Sequence, residues 1–285
     1  YMEDLESILQ NSRHVTDYYI EDSGERWTDL KLKPASWASW RREMKSYDYT
    51  DDDLINLQGE TYEYYDISAQ TTMVKGCSAS SLNEYFLNGA YSLVEGRHIT
   101  KEDRQAVLIS EELANRNKLS VGDTFTIQKK DFVRMDNGSL IIEDGSAKKD
   151  WGKPYEVEIV GIFSINFRQA MRSSGNLTLT LESAVAENEI FCDYETYVNS
   201  RYTLLNGSEQ AFPLSFARFY VDSPDNLDAA IESAKSSVDT KYITIAVDDT
   251  EFAENLAPLK QLSKFSVIII LVSVAATVIV IGLVV

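Results

Sequence analysis

The sequence predicts an α+β fold. A split α/β lobe made of two β-α-β units carries an inserted β-rich lobe, and a stalk and a transmembrane helix follow. Three observations predict this. Strand and helix periodicities succeed one another as strand, helix, strand near both ends of the charged part of the chain. Short strands punctuated by turn signals lie between them. Beyond Lys264 all charge disappears: Phe265 to Val285 is a run of 21 residues without Asp, Glu, Lys or Arg.

All 45 acidic and 27 basic residues therefore fall in the first 264 positions, giving that part the whole net charge of −18. Such a surface disfavours nucleic acid and anionic lipid, both of which are bound through Lys and Arg. A hydrophobic fraction of 44% excludes a disordered chain. The apolar run is long enough to span a bilayer, with Lys264 as an interfacial anchor. Because the chain starts at Tyr1 and stops inside that run, the expectation is a fragment of a larger membrane protein.

In the first lobe, Leu5, Ile8 and Leu9 share a helical face. Val15 to Ile20 suits a strand and residues 21–33 read as a polar loop. Trp37, Trp40 and Met44 recur at helical spacing. Asp51, Asp52 and Asp53 suit a helix N-terminus, where the dipole favours acids, better than a metal loop. Residues 61–74 alternate, with Tyr65, Ile67, Ala69 and Met73 on one face, and read as a half-buried strand. The first lobe half is 1–75.

The insertion, 76–214, changes character. Val107 to Ile109 is a short strand leading into a helix from Ser110, with Glu111 and Glu112 in its first turn. Val121-Gly122-Asp123 turns into the strand Thr124 to Gln128. Asp136-Asn137-Gly138 between two apolar runs signals a hairpin. Tyr155 to Phe163 alternates as a strand. From 215 to 249 the α/β pattern returns. Phe216 to Val221 is a strand, Ser223 and Pro224 start a helix, and Tyr242 to Val247 is a strand. Residues 250–264 form a stalk helix in which Pro258 removes a backbone donor and predicts a kink. Residues 265–285 are the membrane helix.

Chemistry-bearing motifs are sparse. There is no GxxxxGK[ST] loop, no GxGxxG after a strand and no GxSxG elbow. His14 and His98 have no metal-ligand spacing. No catalytic, metal or cofactor site is expected in this chain. Cys77 and Cys192 are open to two readings, a disulfide or two buried thiols.

From Leu93 to Phe163 the order of turns is distinctive. Gly96-Arg97 is followed by Asp103, the Val107 to Ser110 strand, Ala114, the Val121 to Asp123 turn and Val160-Gly161-Ile162. This series resembles the extracytoplasmic core domain of MacB-like, or FtsX-like, ABC transporter permeases, and the likeness runs from about residue 61 to 285. The resemblance implies a porter-like split lobe with a sabre-like insertion, and four membrane helices in the whole permease. It implies a second permease subunit and a cytoplasmic ABC ATPase as partners, besides the lipid bilayer. ATP hydrolysis would then lie in the separate ATPase, with the ectodomain extracytoplasmic at the plasma membrane; the low cysteine content and the lack of a membrane-fusion partner signal give the expectation of a Gram-positive surface. The function so implied is mechanotransmission, coupling ATP hydrolysis to movement of a peptide, lipid-like or amphiphilic substrate. The alternative expectation is a ligand-sensing ectodomain of a membrane signalling receptor.

Overall fold

The computed structural model describes residues 11, 14–34, 62–138, 140–143, 146–166, 185–204 and 216–237. The chain divides into two compact units, Tyr1–Ala230 and Ile231–Val285. In the second unit the described residues, 231–237, are the end of a helix. The predicted N-terminal helix, the Trp37 and Trp40 segment, the strand at 242–247, the stalk with Pro258 and the apolar run 265–285 lie outside the described residues. Among the described residues no helix is long and apolar enough to cross a membrane.

The first unit is built on one mixed sheet. In chain order its strands are β1 (Val15–Thr28), β2 (Thr71–Cys77), β3 (Tyr91–Gly96), β4 (Ala106–Ser110), β5 (Thr124–Gln128), β10 (Tyr155–Ile165), β11 (Ile190–Asp193) and β12 (Phe216–Val221). They lie in the order β12-β1-β2-β11-β4-β10-β3. β5 pairs with both β10 and the end of β1. That double pairing closes β1, β2, β11, β4, β10 and β5 into a ring of hydrogen-bonded strands, which leaves only β12 and β3 outside it. Closure removes strand edges that would otherwise be open to pairing. The expected boundary between residues 75 and 76 falls inside β2, and strands from both sides of it share this sheet.

One core cluster gathers Val74, Val107, Ile127, Val157, Ile159 and Ile190 from the ring strands. The other gathers Tyr19, Tyr91, Leu108, Phe163 and Phe191 on the opposite face. β4 and β11 are buried at every residue, as strands covered on both faces must be. The second cluster is largely aromatic: Phe163 stacks on Tyr91 at 4.9 Å and meets Phe191 edge-on at 5.6 Å. β10 serves both clusters through a bulge. Its register against β4 passes from Ile159 opposite Val107 to Gly161 opposite Leu108, skipping Val160.

Among the described residues the α-helices include α1 (Tyr62–Ser68), α2 (Glu84–Leu87), α3 (Glu111–Asn117), α4 (Tyr194–Asn199) and α5 (Leu227–Ser237). The Ser110 hydroxyl accepts from Leu113 N at 3.0 Å and caps α3, and Asp193 caps α4 through Thr196 N at 2.9 Å. Both caps sit at the end of a buried strand, so strand and helix are joined without a loop. α5 follows a single 3₁₀ turn at Pro224–Asn226. An arm emerges between β5 and β10, made of the ribbon β6 (Lys130–Phe132) with β9 (Lys149–Trp151) and the short pair β7 (Ile142–Glu143) with β8 (Ser146–Ala147). The predicted hairpin turn is at its tip: Gly138 N donates to Met135 O at 2.8 Å, with Gly138 at φ +86.

Two sequence expectations are corrected. Residues 21–28 are not a loop but the second half of β1, paired from Glu21 to Trp27 with β2. Their polar side chains are accommodated by partners: Asp22 holds Arg201, and Arg26 donates to Ser200 Oγ at 2.9 Å. Residues 61–74 are not one strand but α1 followed by β2. Thr71 Oγ1 donates to Ile67 O at 2.8 Å and Gln70 N donates to the same carbonyl, which closes the helix and turns the chain. The turn also reverses the alternation, so that Thr72 and Val74, rather than Met73, are buried.

Candidate functional site

The family-type turns converge on the bulge of β10. Gly96 lies opposite Gly161 in the β3–β10 register. Arg97 N donates to Val160 O at 2.9 Å, Gly122 N donates to Ile159 O at 2.8 Å, and Ile159 N donates back to Asp123 O at 2.9 Å. Two turns that are far apart in sequence are thus tied to three successive residues of one strand.

Glycine is required at two of these places. Gly96 has φ +74, and a Cβ there would lie 2.2 Å from Val160 O; a Cβ on Gly161 would lie 2.4 Å from Arg97 O. The two backbones pass too closely for any side chain between them. Gly122 is at φ +94 with open space around it, so its need is conformational alone. Ser120 N donates to the Asp123 carboxylate at 2.8 Å and closes that turn.

Arg97 and Asp103 brace the outside of this knot. The guanidinium makes two hydrogen bonds to the carboxylate, at 2.6 and 2.7 Å, and the same carboxylate accepts from Thr100 N at 2.8 Å. Arg97 and the Thr100 donors hold the Asp103 carboxyl below its usual range. A cleft of about 340 Å³ opens beside the knot, lined by Tyr18, Ser78, Thr100, Lys101, Arg104 and Tyr194. Its charges are matched: Lys101 holds Asp17, and Arg104 holds Glu195 at 2.6 Å. A second cleft of about 230 Å³ is lined by Tyr19, Glu21, Lys75, Asn83 and Arg218. Burial alone would lower the Lys75 pKa, but Glu189 at 2.6 Å raises it and keeps the ammonium charged.

The remaining candidates are placed as follows. Cys77 and Cys192 are free thiols, not a disulfide. In the parallel register of β2 and β11, Cys192 faces Gly76 and Cys77 faces Asp193, one residue out of step. Successive residues of a strand point to opposite faces, so Cys192 joins one core cluster and Cys77 the other. Burial raises both thiol pKa values, which disfavours the reactive thiolate. His98 is half-enclosed, with Nδ1 3.0 Å from Ser80 Oγ and its ring edge-on to Phe86. Ser80 Oγ meanwhile accepts from Ile99 N, a loop-bracing bond. His14 lies 3.3 Å from Asp222 at the β1–β12 margin. No group of three or more His, Cys, Asp or Glu that could hold a metal occurs among the described residues. The site therefore shows a braced turn knot and two small polar clefts.

The comparisons with known proteins now bear on what this framework is. No family model matches the chain. Over 219 residues it is 29% identical to the uncharacterized ABC transporter permease YclI of Bacillus subtilis strain 168, a match covering 74% of this chain. The chain resembles an ABC transporter permease. It spans 38% of the length of that relative, so the resemblance is to part of a permease. Two solved structures are distantly similar. One is the periplasmic region of MacB from Actinobacillus actinomycetemcomitans, with 10% identity and a TM-score of 0.39 over 82% of this chain and 71% of that one. The other is a domain of a putative permease protein from Porphyromonas gingivalis, with 15% identity and a TM-score of 0.32 over 83% of this chain and 70% of that one. The mixed α/β fold rests on the sheet described above rather than on these scores.

The sequence singled out the residues of the knot but not their convergence, because hydrogen bonds between remote turns leave no periodic trace. It missed the Arg97–Asp103 fork as a pair, although the six-residue spacing across a turn was a readable signal.

Proposed function

We propose that this chain is the extracytoplasmic domain of an ABC transporter permease subunit, which couples ATP hydrolysis by a cytoplasmic ATPase to movement of a peptide, lipid-like or amphiphilic substrate. The 29% identity to a permease over 219 residues carries the reading. The residue 265–285 run, uncharged and long enough for a bilayer, supports it by supplying a membrane anchor directly after the acidic domain. The Bacillus relative is consistent with a Gram-positive surface.

In this reading the chain performs no chemistry of its own and needs no cofactor. Membrane helices moved by the ATPase pull on residues 250–264, and the first unit responds as a braced body. A ring of paired strands that includes the fully buried β4 and β11 suits that task, since close-packed interiors transmit displacement rather than absorb it. A second permease subunit completes the transporter.

The test is to express the full-length protein with a candidate ABC ATPase from the same organism and purify the membrane complex. Co-purification, with ATP hydrolysis that depends on the permease, supports the reading. A permease that recruits no ATPase, with a signalling module following the membrane helix, overturns it in favour of a receptor ectodomain.

A further inference from the structure

The cleft of about 340 Å³ beside the turn knot is walled by parts of the first unit that hydrogen bonds hold in place. Tyr18 and Ile20 come from β1, Cys77 and Ser78 from the end of β2, and Tyr194 and Val198 from α4. Ser78 N donates to Ile20 O at 3.0 Å and Ile20 N donates to Ser78 Oγ at 3.0 Å, which locks the first two parts together. Gln105 N donates to Thr196 Oγ1 at 2.8 Å and Ala106 N to the Asp193 carboxylate at 3.0 Å, which ties the loop of Lys101 and Arg104 to α4. A cleft with fixed walls loses little freedom when it is filled. Its volume is about twice that of a cavity that takes benzene.

Each charged residue that lines the cleft has an opposite charge beside it. Lys101 holds Asp17 and sets its ammonium 3.8 Å from the Tyr18 ring centre, Arg104 holds Glu195 at 2.6 Å, and Arg97 forks onto Asp103. An anionic ligand at Lys101 or Arg104 therefore meets Asp17, Asp103 and Glu195, and a cationic one meets the bases as closely. Two uncharged groups differ. Ser78 is only 6% exposed; its oxygen accepts from Ile20 N, and its own proton has no acceptor among the described residues. The half-buried Tyr194 hydroxyl likewise meets no partner among the described residues. Ile20 and Cys77, 1% and 0% exposed, supply apolar lining together with Val198. Enclosed donors are costly to leave unmatched, and a ligand that carries an acceptor would match them.

We propose that this cleft binds a small uncharged molecule with an apolar body of one or two rings and a carbonyl oxygen that accepts from the Tyr194 and Ser78 hydroxyls. The apolar body lies against Ile20, Cys77 and Val198, as the apolar majority of a ligand pocket's lining requires, and the two hydroxyls fix its orientation. Selectivity comes from the paired rim: a neutral ligand leaves the ion pairs of Lys101 and Arg104 intact, whereas a charged one has to break them or sit beside its own sign. The site serves a transporter and a receptor ectodomain alike, so it stands whichever way the ATPase experiment falls.

The full chain in lipid nanodiscs is titrated with N-benzylacetamide by saturation-transfer NMR, with empty nanodiscs subtracted. Phenylacetate and benzylammonium serve as its anionic and cationic counterparts. N-benzylacetamide saturates and binds roughly tenfold or more tightly than either ion. Tyr194→Phe keeps the ring and removes one donor, weakening the amide about fivefold while leaving the two ions unchanged. Val198→Trp fills the cleft and abolishes saturable binding. Three results overturn the proposal: no saturable binding of the amide to the wild type, equal affinity for the amide and the ions, or wild-type affinity in Tyr194→Phe. The last of these decides the matter even where Val198→Trp does not fold.

Discussion

The turn knot and the base of the arm are built at two places on the same strand ring, and they satisfy their polar groups in opposite ways. At the knot every exchange is reciprocal. Gly96 and Gly161 admit one another's backbones, Arg97 forks onto Asp103, and the Asp123 turn bonds to Ile159 in both directions. At the arm base a cation, Lys130, rests on two indoles, Trp27 and Trp151; among the described residues it holds no carboxylate and the two indole N–H groups meet no acceptor. The first arrangement fits a part that must hold its shape. The second rests on the attraction of a cation to ring faces in place of reciprocal hydrogen bonds.

Breaking the knot should have the largest effect. Gly161→Ala or Gly96→Ala forces backbone apart at contacts of 2.4 and 2.2 Å, with an expected loss of about 3 kcal/mol. In a domain of this size that corresponds to a fall of roughly 10 °C in thermal midpoint by calorimetry. Gly122→Ala, strained in φ alone, should cost less than either. An equal loss at all three positions would mean that close approach is not what the glycines provide.

Asp103→Asn comes next, at about 1 kcal/mol, as expected for a forked but partly exposed ion pair. The Asp103 carboxyl is held below its ordinary value. Its stabilisation is therefore complete above that ordinary value and is lost as pH falls through the folded one. Acid titration followed by circular dichroism should show a shallower loss of stability in Asp103→Asn than in the wild type.

How much of this was legible follows from which forces act locally. Val107 to Ile109, Thr124 to Gln128, Tyr155 to Phe163 and Phe216 to Val221 read as strands because each alternates or is wholly apolar, and all four are found within two residues of their expected bounds. The second half of β1 escaped because Asp22, Ser23, Glu25 and Arg26 look like loop. Arg201, Ser200 and Tyr197, more than 170 residues away, help to make a buried Asp22 and Arg26 tolerable. The split of residues 61–74 into helix and strand escaped because a Tyr-rich stretch alternates by accident. The thiols were left open at the sequence level; the one-residue offset between β2 and β11 decides them, and spacing along the chain cannot reveal an offset.

The arm base predicts a smaller effect of the same sign, in a higher pH range. The Lys130 pKa falls from 10.5 to about 8 on folding, so between those values the unfolded chain binds more protons and stability rises with pH. The rise is modest because the amine is partly exposed. Urea titrations from pH 8 upward should show it in the wild type and lose it in Lys130→Met. Least of all, Cys77 and Cys192 should resist a water-soluble thiol reagent until the protein unfolds, with both becoming reactive together. Rapid labelling of either one in the native state would contradict their enclosure in the two core clusters.

The central claim is that motion made by ATP reaches this domain through the stalk, where Pro258 is the expected kink. Pro258→Ala should leave folding of the domain intact while changing permease-dependent ATPase activity. The most direct measurement is hydrogen exchange on the purified permease–ATPase complex, with and without a non-hydrolysable ATP analogue. The account predicts a nucleotide-dependent change in protection across 250–264 and in α5, with the buried ring strands β4 and β11 unchanged. Identical exchange throughout the domain in the two states, from a complex that hydrolyses ATP, would contradict it.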